Sequence, residues 1–286
     1  PIHVSTKSDI KWDRSWYVHI TTRTTKLWHI LQMTVAIIQA RMASTRFPGK
    51  VLADIEGRPV LWHILNRVIE GDVLPIVATS DQTEDDPIAA FCKTNYIACV
   101  RGHPTDVLGR FYTAALKFPH QLIVRISGDC PFIDPGIMMH LIDTFQDGRH
   151  DYAAVACGAG GYRFTRQFPD GLDCEVFTFA ALEKAHKEAT DQYDREHVTR
   201  FIWSQPDEFF IYFYHPNQDW SHYRLTLDEP EDLEMMRTVY KALYNPDKTF
   251  MFQDILNFLS EHPEVALLNR HLIGYEGYEE LQRRHR

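Results

Sequence analysis

Three cations stand within ten residues of an apolar run. "VAIIQARMASTRFPGK" (35–50) places Arg41, Arg46 and Lys50 directly behind Val35, Ala36, Ile37 and Ile38. An arginine fork grips phosphate oxygens two at a time, and a lysine ammonium adds a compact point charge. The spacing therefore supports phosphate binding; three solvated cations on a surface turn is the other reading. The stretch is not a Walker A loop, because Ser44 stands where the first glycine is required and Val51 follows Gly49-Lys50. It is not G-x-G-x-x-G either. Two carboxylates lie far downstream. Asp129 in "ISGDCPFIDP" directly follows an apolar run, and Asp228 in "RLTLDEPEDLE" ends another. Taken singly, Gly128-Asp129 reads as a turn and Asp228 as a helix N-cap. Taken with the cationic loop, two strand-end carboxylates make a Mg²⁺–phosphate site, since Mg²⁺ takes one or two protein carboxylates and completes its shell with water and phosphate. Asp134, before Pro135, is assigned to a helix start.

Other candidates carry less. His197 in "REHV" is a base or a half-buried helix residue, and with fifteen histidines a single one says little. Cys130 beside Asp129 invites a nucleophile reading that is discounted, since no base is adjacent in sequence. "RRHR" (283–286) reads as a solvated tail.

For the loop and the carboxylates to meet, the elements between them must share one edge. Strands are expected at 35–38, 74–80, 96–100 and 121–127, and helices at 59–68, 88–93, 105–116 and 135–145, with Thr105 or Asp106 as a cap. Pro59 suits a first helical position. This alternation implies an α/β fold: an open parallel sheet with helices on both faces. Ligands in such sheets bind beyond the carboxyl ends of the strands, where "QARMASTR", "TSDQ", "RGHPTDV" and "GDCPFIDP" can converge. The second half is less regular. Strands are expected at 151–157, 209–214 and 223–227, helices at 178–188 and 195–203, and a strong helix at 229–243 begins near Pro230.

Residues 1–32 show no sustained period and read as an extension of unknown role, an upstream tail or the end of another module, with function starting at Met33. Residues 33–286 read as one large domain. A net charge of -9 argues against broad nucleic-acid binding, which needs a basic face. Cys92, Cys99, Cys130, Cys157 and Cys174 form no C-x-x-C pair, as expected of reduced thiols in the cytoplasm. No stretch has the apolar length of a membrane span and no signal peptide is visible.

"IIQARMASTRFPGKVL", "GDCPFIDP" and "LDEPEDLE", in this order, resemble the cytidylyltransferases that activate acidic sugars, such as CMP-Kdo synthetase and acylneuraminate cytidylyltransferase. "FPDGLDCEVF" (168–177) and "DREHVTRFIW" (194–203) look closer still to the spore-coat polysaccharide biosynthesis protein F branch. The resemblance covers about 33–245. It implies a nucleotide-diphospho-sugar transferase fold (Rossmann-like, GT-A-type) with a mixed, mostly parallel sheet and helices on both faces, and a homodimer joined through an inserted arm, here 151–222. It implies that Gln39, Ala40, Arg41, Ser44, Arg46, Lys50 and Ser127 line the CTP site, with Arg41, Arg46, Lys50 and Asp129 catalytic. Asp129 and Asp228 would hold Mg²⁺, and Ser80 and Asp106 would lie near base and ribose. Asp170, Asp173, Glu175, Arg195, Glu196 and His197 would face the acceptor sugar or the dimer interface. The chain departs from the sugar-acid enzymes at Ser127, where they carry Gln, and at Glu229, where D-T-P-E-D is common.

The expected activity is transfer of CMP from CTP to an acidic sugar, releasing pyrophosphate, for surface polysaccharide or glycan biosynthesis. A glycosyltransferase of the same fold is the nearest alternative; it would carry an internal D-x-D metal motif, which "GLDCE" is not. A non-catalytic nucleotide-binding module is another, and the joint presence of Lys50, Asp129 and Asp228 argues against it.

Overall fold

Strand β1 (Thr34–Gln39) is central because both of its faces are apolar: Ala36 and Ile38 enter one core, Val35 and Ile37 the other. A strand buried on both faces must lie inside a sheet covered by helices on each side. The computed structural model describes residues 34–118, 122–155 and 167–273. The expectations for 1–32, Met33, Cys157 and the 283–286 tail fall outside them.

Strands β2 (Asp54–Ile55) and β3 (Arg58–Pro59) form a small antiparallel hairpin. The others are β4 (Leu74–Ser80), β5 (Ala98–Gly102), β6 (Leu122–Ser127), β7 (Tyr152–Val155), β8 (Cys174–Thr178) and β9 (Ile211–Tyr214). They complete a seven-stranded sheet in the order β5-β4-β1-β6-β8-β7-β9. The first four are parallel, β8 runs antiparallel to both β6 and β7, and β9 is parallel to β7. The mixed, mostly parallel sheet expected from the sequence is thus present.

One face is covered by α1 (Val60–Glu70), α2 (Asp86–Thr94), α4 (Pro135–Asp143), α8 (Pro230–Leu243) and α9 (Phe252–Glu261). The other is covered by α3 (Val107–Leu116), α5 (Phe179–Glu188) and α7 (Arg200–Trp203), with α6 (Gln192–His197) beside α3 and a short α10 (Pro263–Leu267) near the end. Within 151–222 the described residues contribute three strands to the main sheet; 156–166 lie outside them.

Three expectations are corrected. Residues 223–227 form no strand, although 224–227 are buried. Leu225 N donates to Asp170 O at 2.7 Å and Leu227 N to Asp129 O at 2.9 Å, so the segment is bonded to loops rather than to a neighbouring strand. Apolar patterning reports burial, not the partner. The single helix expected over 195–203 is two, α6 and α7, broken at Val198 with φ 59° and ψ -63°. Pro59 sits at the N-cap of α1 rather than inside it.

Candidate active site

Along β1 and β6 the same alternation that buries Ile37 and Ile123 turns Gln39, Arg125 and Ser127 to that face, so the core becomes polar towards the strands' carboxyl ends. The cationic loop begins there. Gly49 caps a 3₁₀ turn, Lys50–Leu52, at φ 76°, a backbone region that favours glycine. Met42 carbonyl accepts from both Ser44 N and Gly49 N at 2.9 Å, folding the loop on itself.

Asp85, 2 % exposed, pins the loop to β4. Its carboxylate accepts from Met42 N at 2.6 Å, and from the amide and hydroxyl of Ser80. Burial pushes its pKa up, but these bonds outweigh burial and hold it below the ordinary carboxylate range. Its stabilisation is therefore complete above about pH 4 and is lost as pH falls through the lowered value. Asp85→Asn is expected to cost about 1–3 kcal/mol and to raise the KM for nucleotide, because the Met42 amide loses its charged acceptor. Thermal melts at pH 7 and nucleotide titrations check both effects.

Gly128 closes the other side. Its amide donates to Gln39 O at 2.8 Å, and a Cβ there would lie 2.8 Å from that same oxygen. Only glycine lets the 127–130 turn approach β1 so closely, which brings Asp129 over the loop. The carbonyl of Asp129 receives Leu227 N, which brings Asp228 alongside. Lys50 Nζ lies 2.8 Å from Asp129 Oδ2 and 2.7 Å from Asp228 Oδ1. Burial alone would lower the Lys50 pKa, but the two carboxylates raise it above its ordinary value. Burial would raise that of Asp129, yet the Lys50 charge pulls it down to about 2. Arg46 reaches Asp228 at 3.1 Å and Glu229 at 3.5 Å. Arg41 is exposed and has no ion pair among the described residues.

Asp228 is not the N-cap that its sequence position suggests. Glu229 caps α8, and Asp232 accepts from the amides of Asp228 and Glu229 at 2.8 and 2.9 Å. Asp232 and the Arg224 side chain are fully buried and joined by two bonds of 2.8 and 2.9 Å; Arg224 also reaches Asp228 at 3.3 Å. A rigid buried pair thus positions Asp228 from below.

The resulting cleft holds about 270 Å³ and is lined by Gln39, Ala40, Arg41, Ser44, Thr45, Arg46, Lys50, Val51, Val107, Arg110, Arg125, Ser127, Gly128, Asp129, Glu196, His197 and Asp228. Five cations and three carboxylates line it in a protein of net charge -9; Glu229 and Glu175 stand against Arg46 and Arg125, so the cleft gathers cationic N–H donors that an anion can engage. Eleven of the residues singled out from sequence meet here: Gln39, Ala40, Arg41, Ser44, Arg46, Lys50, Ser127, Asp129, Glu196, His197 and Asp228. Six do not line it. Ser80 is bound to Asp85, and Asp106 caps α3 through Gly109 N and pairs with Arg195 at 2.9 Å. Asp170 lies 3.8 Å from Arg224, Asp173 accepts from Gly171 N, and Glu175 stands behind Arg125 at 2.8 Å. Sequence reasoning missed Arg110 and Arg125. Each is a lone charge in an apolar element, but Arg67 gives the same signal and is structural, its guanidinium held by Phe250 O, Ile133 O and Tyr240 Oη.

Asp129 and Asp228 aim at one point, now held by a lysine ammonium, and both are hard oxygen donors, so the pair suits a divalent cation bridged to phosphate. Among the described residues no group of three or more acidic, His or Cys side chains forms a fuller cage.

Residues 35–255 match the cytidylyltransferase family model. The chain is 30% identical to the spore coat polysaccharide biosynthesis protein SpsF of Bacillus subtilis over 240 residues, covering 80% of this chain and 95% of that protein. It is 36% identical to the 3-deoxy-manno-octulosonate cytidylyltransferase of Nitratidesulfovibrio vulgaris over 126 residues, 42% of this chain and 49% of that enzyme. A cytidylyltransferase structure from Leptospira borgpetersenii superposes with a TM-score of 0.73 at 28% identity, covering 82% of this chain and 96% of that one. The motifs at 35–50, 128–135 and 227–234 thus lie in a chain that belongs, over most of its length, to the cytidylyltransferase family of nucleotidyltransferases.

Proposed function

We propose that the chain transfers CMP from CTP to an acidic sugar, giving a CMP-sugar and pyrophosphate, with Mg²⁺ as cofactor. The observation that carries this is the cleft itself: five cations around two convergent carboxylates at the carboxyl ends of β1 and β6. Arg41, Arg46 and Lys50 bind the triphosphate and stabilise charge on the departing pyrophosphate. Gln39, Ala40, Ser44 and Ser127 shape the nucleotide site, and Ser80 and Asp106 support its base side. The acceptor hydroxyl enters in line with the α-phosphate; its oxygen bonds to phosphorus as the bond to the β-phosphate oxygen breaks, pyrophosphate departs, and the hydroxyl proton passes to solvent water. Mg²⁺ held by Asp129 and Asp228 would neutralise the phosphates and lower the pKa of that hydroxyl. The chain's remaining contribution is positioning.

We assign 33–286 to the catalytic domain behind an extension at 1–32, and 151–222, with Asp170, Asp173, Glu175, Arg195, Glu196 and His197, to the acceptor site and a homodimer contact. The similarity to a spore coat polysaccharide biosynthesis protein supports a role in surface polysaccharide or glycan synthesis. A cytoplasmic location accords with described helices none of which is long and apolar enough to cross a membrane.

Pyrophosphate release measured over four nucleoside triphosphates and a panel of sugar acids tests the reading. Release from CTP with an acid acceptor is expected; release with none of them would sink it. Lys50→Ala is expected to lower kcat/KM by about 100-fold or more. Its melting temperature should rise more steeply with Mg²⁺ than the wild type's, because the two carboxylates are left without their ammonium. An unchanged kcat/KM would remove Lys50 from the phosphate site.

A further inference from the structure

Arg125 is a charge inside an apolar strand, and two of its three guanidinium nitrogens are held by neighbouring side chains. In the sheet it sits between Ile37 of β1 and Glu175 of β8, in register with both. Nε donates to Gln39 Oε1 at 3.2 Å and Nη1 to Glu175 Oε2 at 2.8 Å. Nη2 has no hydrogen-bond partner among the described residues, although the side chain is only 12% exposed and lines the cleft. Glu175, 5% exposed, also accepts from Thr199 Oγ1 at 2.9 Å. That threonine follows Val198, whose φ of 59° and ψ of -63° with Thr199 N donating to His197 O at 2.6 Å define a strained γ-turn. A β-branched residue held there costs on the order of 1–3 kcal/mol, and such strain gathers at functional sites. Here it presents Glu196 and His197 to the same cleft.

We propose that Arg125 is a specificity residue: its free guanidinium edge takes the carboxylate of the acceptor. The inference rests on the acidic-sugar reading above. The phosphate loop hangs from β1 and is pinned through Asp85 from the β4 side, whereas Arg125 and Glu175 lie on the β6–β8 side of Asp129. A second substrate attacking the α-phosphate arrives from that side. Guanidinium recognises carboxylate through parallel N–H donors, and two of its three nitrogens are already fixed in orientation by Gln39 and Glu175. Glu175 keeps the pair near neutral until a ligand carboxylate engages Nη2. An acceptor without that group leaves a half-buried donor unpaired, which is how a polar site rejects a close analogue.

The test uses the full-length protein loaded with CTP in EDTA, so that no turnover occurs. Calorimetry measures binding of 3-deoxy-manno-octulosonate, N-acetylneuraminate and glucuronate, each beside its carboxamide. The wild type is expected to prefer at least one acid over its amide by about 10- to 100-fold. Arg125→Gln should abolish that preference with the CTP affinity unchanged. The double variant R125Q/E175Q, which leaves no unpaired buried charge, separates recognition from folding and should lose the preference equally. Glu175→Gln, which frees the guanidinium from its competitor, should bind the acid at least as tightly. No preference in the wild type, a preference that survives in the double variant, or a loss shared equally by CTP overturns the inference. Arg125-dependent acid binding without pyrophosphate release in Mg²⁺ would instead support Arg125 and count against the transfer reaction.

Discussion

Asp129→Asn is expected to reduce pyrophosphate release by about 1,000-fold or more while leaving the circular dichroism spectrum unchanged and the melting temperature within a few degrees. The substitution keeps size and removes one of the two hard oxygen anions that aim at the cation position. Lys50 retains Asp228 at 2.7 Å, so its ammonium is not stranded. The Asp129 side chain is 24% exposed but that of Lys50 only 9%, so loss of the pair lies between the surface and buried cases, about 1–3 kcal/mol. Catalysis and stability are thus predicted to separate. Near-normal turnover by this variant would remove Asp129 from the reaction.

Arg224→Met should act the other way, through the fold. Its guanidinium has no exposed surface and makes two bonds to Asp232, which is also fully buried. Deleting the cation leaves an uncompensated charge in the interior, a defect that costs about 3–5 kcal/mol. For a chain of this size that is roughly 10 °C of melting temperature. Asp232 also accepts from Asn269 and from the amides of Asp228 and Glu229, so the loss should spread to the position of Asp228 and lower activity as well. A double variant, R224M/D232N, should recover part of the stability. If the single variant melts with the wild type, Asp228 is held by its backbone alone.

Both predictions concern residues whose legibility in the sequence differs. Asp129 is readable because a carboxylate directly after an apolar strand, in a βα alternation, must lie at the sheet's carboxyl edge. Lys50, Arg41 and Arg46 are readable for the same reason. Arg224 is not: "YRLTL" looks like a strand with an arginine on its exposed face, yet the segment joins two loops and its arginine is buried. A period-2 pattern cannot distinguish a strand's solvent face from a charge satisfied in the interior by a residue eight positions on. Asp228 was ambiguous between cap and ligand, and only the position of Glu229 at the N-cap frees its carboxylate for the cleft.

By itself the sequence determined the α/β alternation, the cationic loop behind β1 and the carboxylate of Asp129 behind β6, because these follow from local periodicity and from residue types next to one another. The tertiary structure decided which carboxylates face which cations. It places Lys50 between Asp129 and Asp228, sets Glu175 behind Arg125 across two antiparallel strands, and uses a γ-turn at Val198 to aim His197 at the cleft. These depend on sheet order and register, which bring together residues distant in the chain, and no local pattern encodes the distance between them.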